Sequence, residues 1–391
     1  MNQSARQLAD CIDRVRQLGP TITGHAAESE RLGQLAPAIV DAFHDSRLFR
    51  ALLPKELHGF GLTIPEQNEV IEEVASFDGA AGWNFAIGSG GPAIAGFVAR
   101  DAFEEIFSDP RALVAGSFSP MGNTAVRCDG GHRFTGKSTF ASGSAQATWL
   151  TANGVELIDG APQIQNGIPR FKAGMMPIKQ AKILDTWSVS GLCGTGSNDV
   201  VFENVFIPEK FTFDFPNAKP TWQKGALAQI PLMVQLGGAL ASVSLGIARH
   251  AIEALKELAI SKVPLGTFAS LRERPVAQLQ LGEAEGTLQA ARAYLHQSVN
   301  EVWRKGEAGE PFDLPTLAAA RLATVTAGKL AARAVDLIYD AAGISAMQTA
   351  LPIERCWRDV HAVTQHVTMN TARYEVVGRI LFGLPPTTPL V

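Results

Sequence analysis

The spacing of hydrophobic and polar positions changes twice along the chain. Three N-terminal segments, Ala5–Leu18, Pro37–Ser46 and Pro65–Asp78, carry apolar residues at the three- and four-residue spacing of amphipathic helices. From about Leu113 the spacing becomes alternating and is bounded by Gly and Pro, which predicts strands. After about Trp222 helical spacing returns. The pattern therefore predicts a helical region, a β region and a second helical region.

The second helical region contains four predicted helices. They are long and rich in Ala and Leu, which favours an antiparallel bundle. They cover residues 226–261, 276–305, 315–342 and 354–382. The predicted fold class is mainly α with a central β domain. The predicted domains are 1–112, 113–222 and 223–391.

The last predicted helix carries an unusual polar stripe. The segment RDVHAVTQHVTMNTARYE, Arg358–Glu375, contains neither Pro nor Gly and predicts one continuous helix. Positions four and seven apart share a helix face, so Asp359, His366, Asn370 and Arg373 would line one stripe. Such a stripe either lines a cavity or forms a solvated face.

Composition excludes several classes of function. With 46% hydrophobic and 18% charged residues, the chain is typical of a soluble globular protein with a large buried core. A net charge of −4 without a basic run gives no case for nucleic-acid binding. The most apolar stretch, Ala226–Ile247, is interrupted by Pro231 and Gln235, so a buried core helix is expected rather than a membrane span. The N-terminus lacks the apolar stretch of a signal peptide, and a cytoplasmic location is expected.

Common catalytic and metal-binding motifs are missing from the sequence. There is no G-x-S-x-G, H-E-x-x-H or Walker loop, and the four cysteines form no C-x-x-C pair. His361 and His366 are five positions apart, so they do not share a helix face and make a poor metal pair. Without further information, the residues indicate a mostly helical protein with a β insert, in which His366 is structural.

Two stretches resemble the acyl-CoA dehydrogenase superfamily. TWSVSGLCGTGSNDVVFENVFIPEKF, Thr186–Phe211, resembles the end of its β domain, where a Gly/Thr/Ser turn leads into a strand hairpin. ERCWRD, Glu354–Asp359, resembles its last catalytic segment. The resemblance covers nearly the whole chain. It implies an N-terminal helical domain, a β-barrel or sandwich domain and a C-terminal four-helix bundle.

The dehydrogenases of this superfamily use a glutamate to remove a proton next to a thioester carbonyl. In many of them that glutamate follows the R-D of the last helix, where this chain has Gln365, His366 and Val367. Some dehydrogenases keep the base on another helix, so an acyl-CoA dehydrogenase-like or nitroalkane-oxidase-like enzyme with bound FAD remains an alternative. Their adenine-binding Q-x-x-G-G-x-G segment corresponds here to LIYDAAGIS, Leu337–Ser345.

A second branch of the superfamily matches better. The chain is similar to the oxygenase components of two-component (group D) flavin-dependent monooxygenases, such as 4-hydroxyphenylacetate hydroxylase, steroid-ring hydroxylases, dibenzothiophene monooxygenase and indole-oxidising relatives. Their motifs W-x-x-x-G-L-R-G-T-G-S-x-D, K-W-x-F-x-S-G and R-D-x-x-A-x-x-x-H correspond to Trp187–Asp199, Gly136–Gly143 and Arg358–His366. Cys193 stands where members have Arg, and Ser138 where they have Trp.

This resemblance implies a reaction. A separate flavin reductase would supply reduced FMN or FAD, O2 would add at flavin C4a, and the hydroperoxide would transfer one oxygen atom to a small aromatic or heteroaromatic substrate. The resemblance also implies a homotetramer, and no metal is expected. A third hypothesis is a catalytically silent helical scaffold.

The resemblance also assigns residues to the flavin. Ser142 would lie near flavin N5 or the peroxide, with Ser144 as its nearest competitor, unless it is an ordinary turn serine. Phe140 and Trp187 would wall the flavin, unless both belong to the β core. Arg274 would bind the flavin phosphate, from a neighbouring subunit. The other candidates supply hydroxyls or backbone amides for the ring edge or the phosphate: Ser117, Ser119, Gly194, Thr195, Gly196 and Ser197.

His366 is the main candidate on the substrate side. Its imidazole could deprotonate a phenol or ring N–H, or hold the distal peroxide oxygen, because an imidazole pKa near neutrality suits either role. Asp359 would either orient His366 or form a structural ion pair. Trp83, Asn84 and Asn370 would contact the substrate.

Overall fold

The computed structural model describes residues 3–117, 122–165, 167–215 and 218–388. Helices form the first part of the chain. They are α1 (Gln3–Gly24), α2 (Ala26–Leu32), α3 (Pro37–Asp45), α4 (Ile64–Ala75), α5 (Gly79–Ala95) and α6 (Arg100–Ser108). The three N-terminal helices predicted from spacing correspond to α1, α3 and α4, and α4 begins with a capping box between Thr63 and Glu66.

Helix α5 was not expected, because its sequence is rich in glycine. Asp78 caps it by accepting a hydrogen bond from the Ala81 amide at 2.8 Å. A glycine is required at position 82, where a Cβ atom would lie 2.5 Å from the Ala75 Cβ of α4. Glycine here allows close helix packing, which outweighs its low helix propensity.

The middle of the chain forms a mixed sheet. The strands are β1 (Val114–Gly116), β2 (Thr124–Cys128), β3 (Gly131–Ala141), β4 (Trp149–Ile158), β5 (Ala161–Pro162), β6 (Ile164–Gln165), β7 (Ile168–Pro169), β8 (Phe171–Pro177), β9 (Lys182–Ile183), β10 (Asn198–Pro208) and β11 (Thr212–Phe215). The strand order of the sheet is β11-β8-β4-β2-β3-β10-β9, while β1 and β5 also pair with β4, and β6 and β7 form a separate hairpin.

The last part of the chain is helical again. Its helices are α7 (Ala226–Gln229), α8 (Leu232–Ser261), α9 (Pro275–Ala308), α10 (Leu314–Ala342), α11 (Pro352–Val363) and α12 (Ala372–Leu381). The predicted fold class, mainly α with a central β domain, is therefore confirmed. The exact domain boundaries remain a prediction from the sequence.

Two of the predicted C-terminal helices are interrupted. The segment 226–261 splits at Pro231, which lacks an N–H and precedes α8 in an extended conformation. Helix α8 is long and apolar enough to cross a membrane, but 78% of its most apolar window is buried inside the protein. Its position agrees with the core helix that the sequence predicted.

The continuous helix predicted for Arg358–Glu375 was wrong. Helix α11 ends at Val363, and residues 364–371 form consecutive turns before α12 begins. The hydroxyl of Thr364 donates to the His361 carbonyl at 2.8 Å, and the hydroxyl of Thr368 lies 2.8 Å from His366 Nδ1. These side-chain hydrogen bonds compete with helix formation, as Thr side chains commonly do. The polar stripe of Asp359, His366, Asn370 and Arg373 therefore does not exist as one helix face.

The apolar core extends across the helical regions. One buried cluster joins the N-terminal helices to α8–α11 and includes Phe43, Phe85, Leu245 and Ile338. A second buried apolar cluster lies between the sheet and α6 and includes Phe103. Helices α5 and α8 pack against each other and against α11. A cavity lies where these helices meet the loops of the sheet.

Candidate active site

The cavity has a volume of about 890 Å³ and lies between α5, the start of α8, the loops of the sheet and the turns after α11. Most of its wall is apolar. Among the described residues that line it, His366 is the only ionisable one, and no Asp, Glu, Lys or Arg side chain takes part. The volume falls in the range of small-molecule and cofactor sites.

A chain of hydrogen bonds runs along one wall of the cavity. The indole N–H of Trp83 in α5 donates to Ser142 Oγ at 2.9 Å. Ser142 Oγ lies 2.7 Å from Ser197 Oγ, which lies 2.7 Å from Thr195 Oγ1. All four residues line the cavity and all are at least nine-tenths buried. Three predicted flavin residues and one predicted substrate residue are thus joined in one network.

Ser144, the competitor of Ser142, has a different environment. Its hydroxyl donates to the Gly196 carbonyl at 3.3 Å, and it does not line the cavity. The Gly143 amide donates to the Thr195 carbonyl at 3.0 Å. The segment after β3 is thereby tied to the loop before β10, and Ser142 is the serine that faces the cavity.

Phe140 and Trp187 stand at the opening of the cavity. Their rings meet edge to face, with centroids 6.2 Å apart and planes at 88°. Phe140 is 69% exposed, so it is not an ordinary core residue. Its φ of 57° is unusual for a residue other than glycine, and it occurs beside a register shift between β3 and β10. The irregular strand turns this aromatic ring outward.

The loop between Trp187 and Thr195 is held by α11. Arg358 Nη1 donates to the Ser190 carbonyl, and Asp359 Oδ1 accepts from the Leu192 amide, each at 2.6 Å. Leu192 has a φ of 55°, so this hydrogen bond secures a conformation that a leucine rarely adopts. The adjacent Arg-Asp pair therefore positions the cavity loop.

The structure gives Asp359 a role that differs from both predictions. It neither contacts His366 nor forms an ion pair within the part of the chain that the structure describes. Its side chain is 2% exposed. Burial, and after it the carboxylate of Asp78, raise the pKa of Asp359 to about 7. Asp78 itself lies 3.3 Å from Arg355 Nε.

His366 lies in the turns after α11 and lines the cavity. Its ring meets the Trp83 indole edge to face, with centroids 5.6 Å apart. The Thr368 amide donates to Nδ1 at 3.3 Å. Because an amide can only donate, Nδ1 is the acceptor, and in the neutral ring Nε2 carries the proton. Burial, and after it the charge of Arg321, lower the pKa of His366 to about 4, so the ring is neutral near pH 7.

Of the other predicted residues, Ser117 lines the cavity and Ser119 lies outside the described residues. The others do not line the cavity wall. The Asn84 amide donates to the carbonyls of Ala80 and Gly194, so it joins α5 to the loop instead of facing the cavity. The remaining residues absent from the wall are Gly194, Gly196, Asn370 and Arg274.

Arg274 is too distant to act in its own subunit's cavity. It follows the far end of α8, whose start lines the cavity. A 30-residue helix is on the order of 45 Å long. A role for Arg274 at the flavin phosphate thus requires a neighbouring subunit and remains a prediction.

Sequence reasoning missed the contribution of α8. Leu232, Met233, Gln235 and Leu236 all line the cavity, although the segment was interpreted only as a core helix. The one available signal was Gln235, a polar residue within an apolar run. Its amide nitrogen donates to the carbonyls of Leu227 and Ile230, which anchors the start of α8.

The cavity suits a flavin. It combines apolar walls with a row of hydroxyls, as an isoalloxazine ring with polar edge atoms requires. Thr151 also lines it, and its buried hydroxyl has no partner among the described residues. Such a hydroxyl is available to form a hydrogen bond with a polar edge atom of a bound flavin. Ser142, Thr195, Ser197 and Ser117 would hold the flavin, with Phe140 and Trp187 beside it.

Comparisons with known proteins identify the family of the chain. The family model described as "Acyl-CoA dehydrogenase, C-terminal domain" matches residues 239–371. The indole-3-acetate monooxygenase of Pseudomonas putida is 30% identical over 92% of this chain and 90% of its own length. The oxygenase component of the FADH2-dependent resorcinol hydroxylase of a Rhizobium species is 27% identical, over 96% of this chain and 94% of its own.

A solved structure shows the same fold. XiaF from a Streptomyces species, determined in complex with FADH2 and glycerol, superposes with a TM-score of 0.91 and 24% identity, covering 99% of this chain and 98% of its own. The 30% identity to the indole-3-acetate monooxygenase, over 92% of this chain, confirms the predicted family. This chain belongs to the acyl-CoA dehydrogenase superfamily, within the branch of two-component flavin-dependent monooxygenases, and is an oxygenase component.

Proposed function

We propose that this enzyme hydroxylates or oxygenates a small aromatic or heteroaromatic compound, using reduced FMN or FAD from a separate reductase. The hydrogen-bonded row of Trp83, Ser142, Ser197 and Thr195 carries the proposal. Bound reduced flavin supplies the chemistry that activates O2 for transfer of one oxygen atom. The apolar wall leaves room beside it for a planar substrate.

The row of hydroxyls can present a proton to the cavity. Trp83 Nε1 can only donate, so Ser142 Oγ accepts from it. If Thr195 donates to Ser197 and Ser197 donates to Ser142, the Ser142 hydroxyl proton is left free for a group in the cavity. Each hydroxyl then polarises the next one, which strengthens Ser142 as a donor.

His366, in the turns after α11, supplies a second hydrogen-bond donor to the cavity. With Nδ1 engaged by Thr368, the Nε2–H of the neutral ring has no partner among the described residues. Its lowered pKa favours hydrogen-bond donation over proton abstraction. Of the two roles predicted for His366, holding an oxygen atom therefore has more support than acting as a base.

The dehydrogenase alternative has little support. An enzyme of that kind needs a carboxylate beside the flavin, and no Asp or Glu is found among the described residues of the cavity wall. Gln365 and His366 occupy the position expected for that glutamate.

We further propose a cytoplasmic homotetramer. The loop after α8 exposes Leu265 and Phe268 completely, and the start of α9 exposes Leu279 at 65%. Exposed apolar groups of this size favour association. Arg274 lies in the same region, so a neighbouring subunit packed there could bring Arg274 to the flavin phosphate.

Anaerobic binding of reduced FMN or FAD, followed by rapid mixing with O2, tests the oxygenase mechanism. The wild-type protein should show a transient absorbance before the flavin is reoxidised, and product should form when an indole or phenol is present. Ser142→Ala should shorten the transient by about tenfold or more, since a hydrogen bond to a developing charge contributes about 1.5–3 kcal/mol. His366→Gln should retain more product per flavin than His366→Ala, because an amide N–H can replace Nε2–H.

Ser144→Ala is the matched control, because the Ser144 hydroxyl donates to the Gly196 carbonyl and does not line the cavity. It should leave the transient nearly unchanged. Immediate reoxidation in the wild-type protein, together with tightly held FAD that an acyl-CoA bleaches, would rule out the oxygenase mechanism.

A further inference from the structure

Two arginines next to the turns that carry His366 have no counter-charge among the described residues. Arg321 in α10 is 5% exposed, and its one side-chain hydrogen bond to the described part of the chain goes from Nη1 to the Thr368 carbonyl at 3.4 Å. Arg373 in α12 is half-buried. The Nε atoms of both are buried without a partner, and neither arginine forms an ion pair within residues 3–117, 122–165, 167–215 and 218–388.

The two positive charges act on each other. Burial, and after it the charge of Arg373, lower the pKa of Arg321 to about 10. With a pKa of about 10, Arg321 is still charged near pH 7. A buried charge left unpaired is strongly destabilising, and a neighbouring like charge adds to that cost. A single anion placed between the two guanidinium groups would relieve both effects.

Both arginines adjoin the turns that carry His366, since Arg321 donates to the Thr368 carbonyl and the Arg373 amide donates to the Asn370 carbonyl at 3.0 Å. The Thr368 residue that accepts from Arg321 also holds His366 Nδ1, and the charge of Arg321 lowers the His366 pKa. Asn370 lies in the same turns, and its buried Oδ1 atom has no partner among the described residues. The cavity wall itself offers no cation. Among the described residues, Arg321 and Arg373 are thus cations beside the His366 turns that have no counter-charge of their own.

We propose that Arg321 and Arg373 form a binding site for one anionic group, a carboxylate or a phosphate, of a small molecule that the enzyme binds. A planar guanidinium matches either group with two parallel N–H donors. The proposal deepens the proposed function, since an aromatic acid and the flavin phosphate are the two small-molecule sources of such a group.

Thermal unfolding of the full chain tests the site without catalysis. Inorganic phosphate at millimolar concentration, compared with chloride at equal ionic strength, should raise the wild-type Tm by about 2 °C or more, because binding to the folded state alone stabilises it. Arg321→Gln and Arg373→Gln should each abolish the shift. Arg333→Gln is the matched control, since Arg333 is exposed on the same helix and already bonds to Glu283 at 3.1 Å. It should retain the shift.

Calorimetric binding under anaerobic conditions separates the two sources. If the flavin phosphate binds here, reduced FMN should bind about tenfold more tightly than reduced riboflavin, and Arg321→Gln should remove the difference. If a substrate carboxylate binds here, indole-3-acetate should bind about tenfold more tightly than indole-3-acetamide, and the same variant should equalise them.

Several outcomes would overturn the proposal. One is that phosphate leaves the wild-type Tm unchanged and that the protein prefers neither reduced FMN over reduced riboflavin nor indole-3-acetate over indole-3-acetamide. Another is a phosphate shift that survives in both arginine variants. A third is dissociation of the assembly by Arg373→Gln without any change in the two preferences, which would assign the counter-charge to a partner subunit. Because the phosphate shift requires no turnover, it can hold even if the oxygenase experiment fails.

Discussion

At the scale of single residues, burial sets the protonation of two groups at or near the cavity, His366 and Asp359. His366 is kept neutral because its charged form would lose hydration, with a further contribution from Arg321. Asp359 is kept partly protonated because its charged form would lose hydration close to Asp78. Their pKa values move in opposite directions from ordinary values, to about 4 and about 7.

These opposite shifts predict opposite effects on stability. Between about pH 4 and 7 the folded chain holds a proton on Asp359 that the unfolded chain has released, so this group's contribution to stability falls as pH rises. Asp359→Asn should therefore gain stability relative to the wild type from pH 4 to 7 and then stay level.

For His366 the unfolded chain binds the extra proton between about pH 4 and 6.5, so the contribution of His366 to stability rises with pH.

Chemical denaturation at a series of pH values measures both effects. The difference in unfolding free energy between Asp359→Asn and the wild type should increase with pH, and that between His366→Gln and the wild type should increase as pH falls below about 6.5. Arg355, Arg358 and Asp78 surround Asp359 and remain in place in its variant. A difference that does not change with pH for Asp359→Asn would refute the raised pKa.

At the scale of elements, the contact between the cavity loop and α11 leaves no room for a side chain. A Cβ atom on Gly191 would lie 2.4 Å from the Arg358 carbonyl oxygen, which is backbone and cannot turn aside. Gly191→Ala should thus push the loop off the helix and break the Leu192–Asp359 hydrogen bond. We expect a loss of about 2 kcal/mol or more in stability and weaker flavin binding.

Flavin titration and denaturation of the same variant measure these losses. Gly286→Ala is the matched control, because Gly286 is exposed within α9 and no atom lies within 4 Å of an added Cβ. Alanine there should stabilise the helix by up to about 1 kcal/mol. Equal stability and equal flavin affinity of Gly191→Ala and Gly286→Ala would show that the close contact between Gly191 and the Arg358 carbonyl contributes to neither.

At the scale of the whole molecule, association should depend on the apolar loop after α8. Phe268→Asp places a charge on a fully exposed aromatic position and should dissociate the proposed tetramer, because a charge inside an apolar contact must lose its hydration. Light scattering at micromolar concentration measures the mass. Ile164→Asp, on the β6–β7 hairpin and 59% exposed, is a control that should keep the wild-type mass. A wild-type monomer would contradict the prediction.

The sequence by itself determined the order of helical and β regions, the core position of α8 and, through the motifs around Trp187 and Arg358, the family. These follow from local spacing and short motifs, which are present in the chain before it folds. It did not predict α5, whose glycines are favourable only against a packed neighbour.

Only the tertiary structure decided the details of the site. The break after Val363, the hydrogen bond from Leu192 to Asp359 and the row from Trp83 to Thr195 join residues that are far apart in sequence or depend on side-chain competition. The uncompensated charges of Arg321 and Arg373 also become visible only in the folded chain. Burial and hydrogen bonding between distant segments arise from packing, and no local pattern specifies which groups packing leaves unpaired.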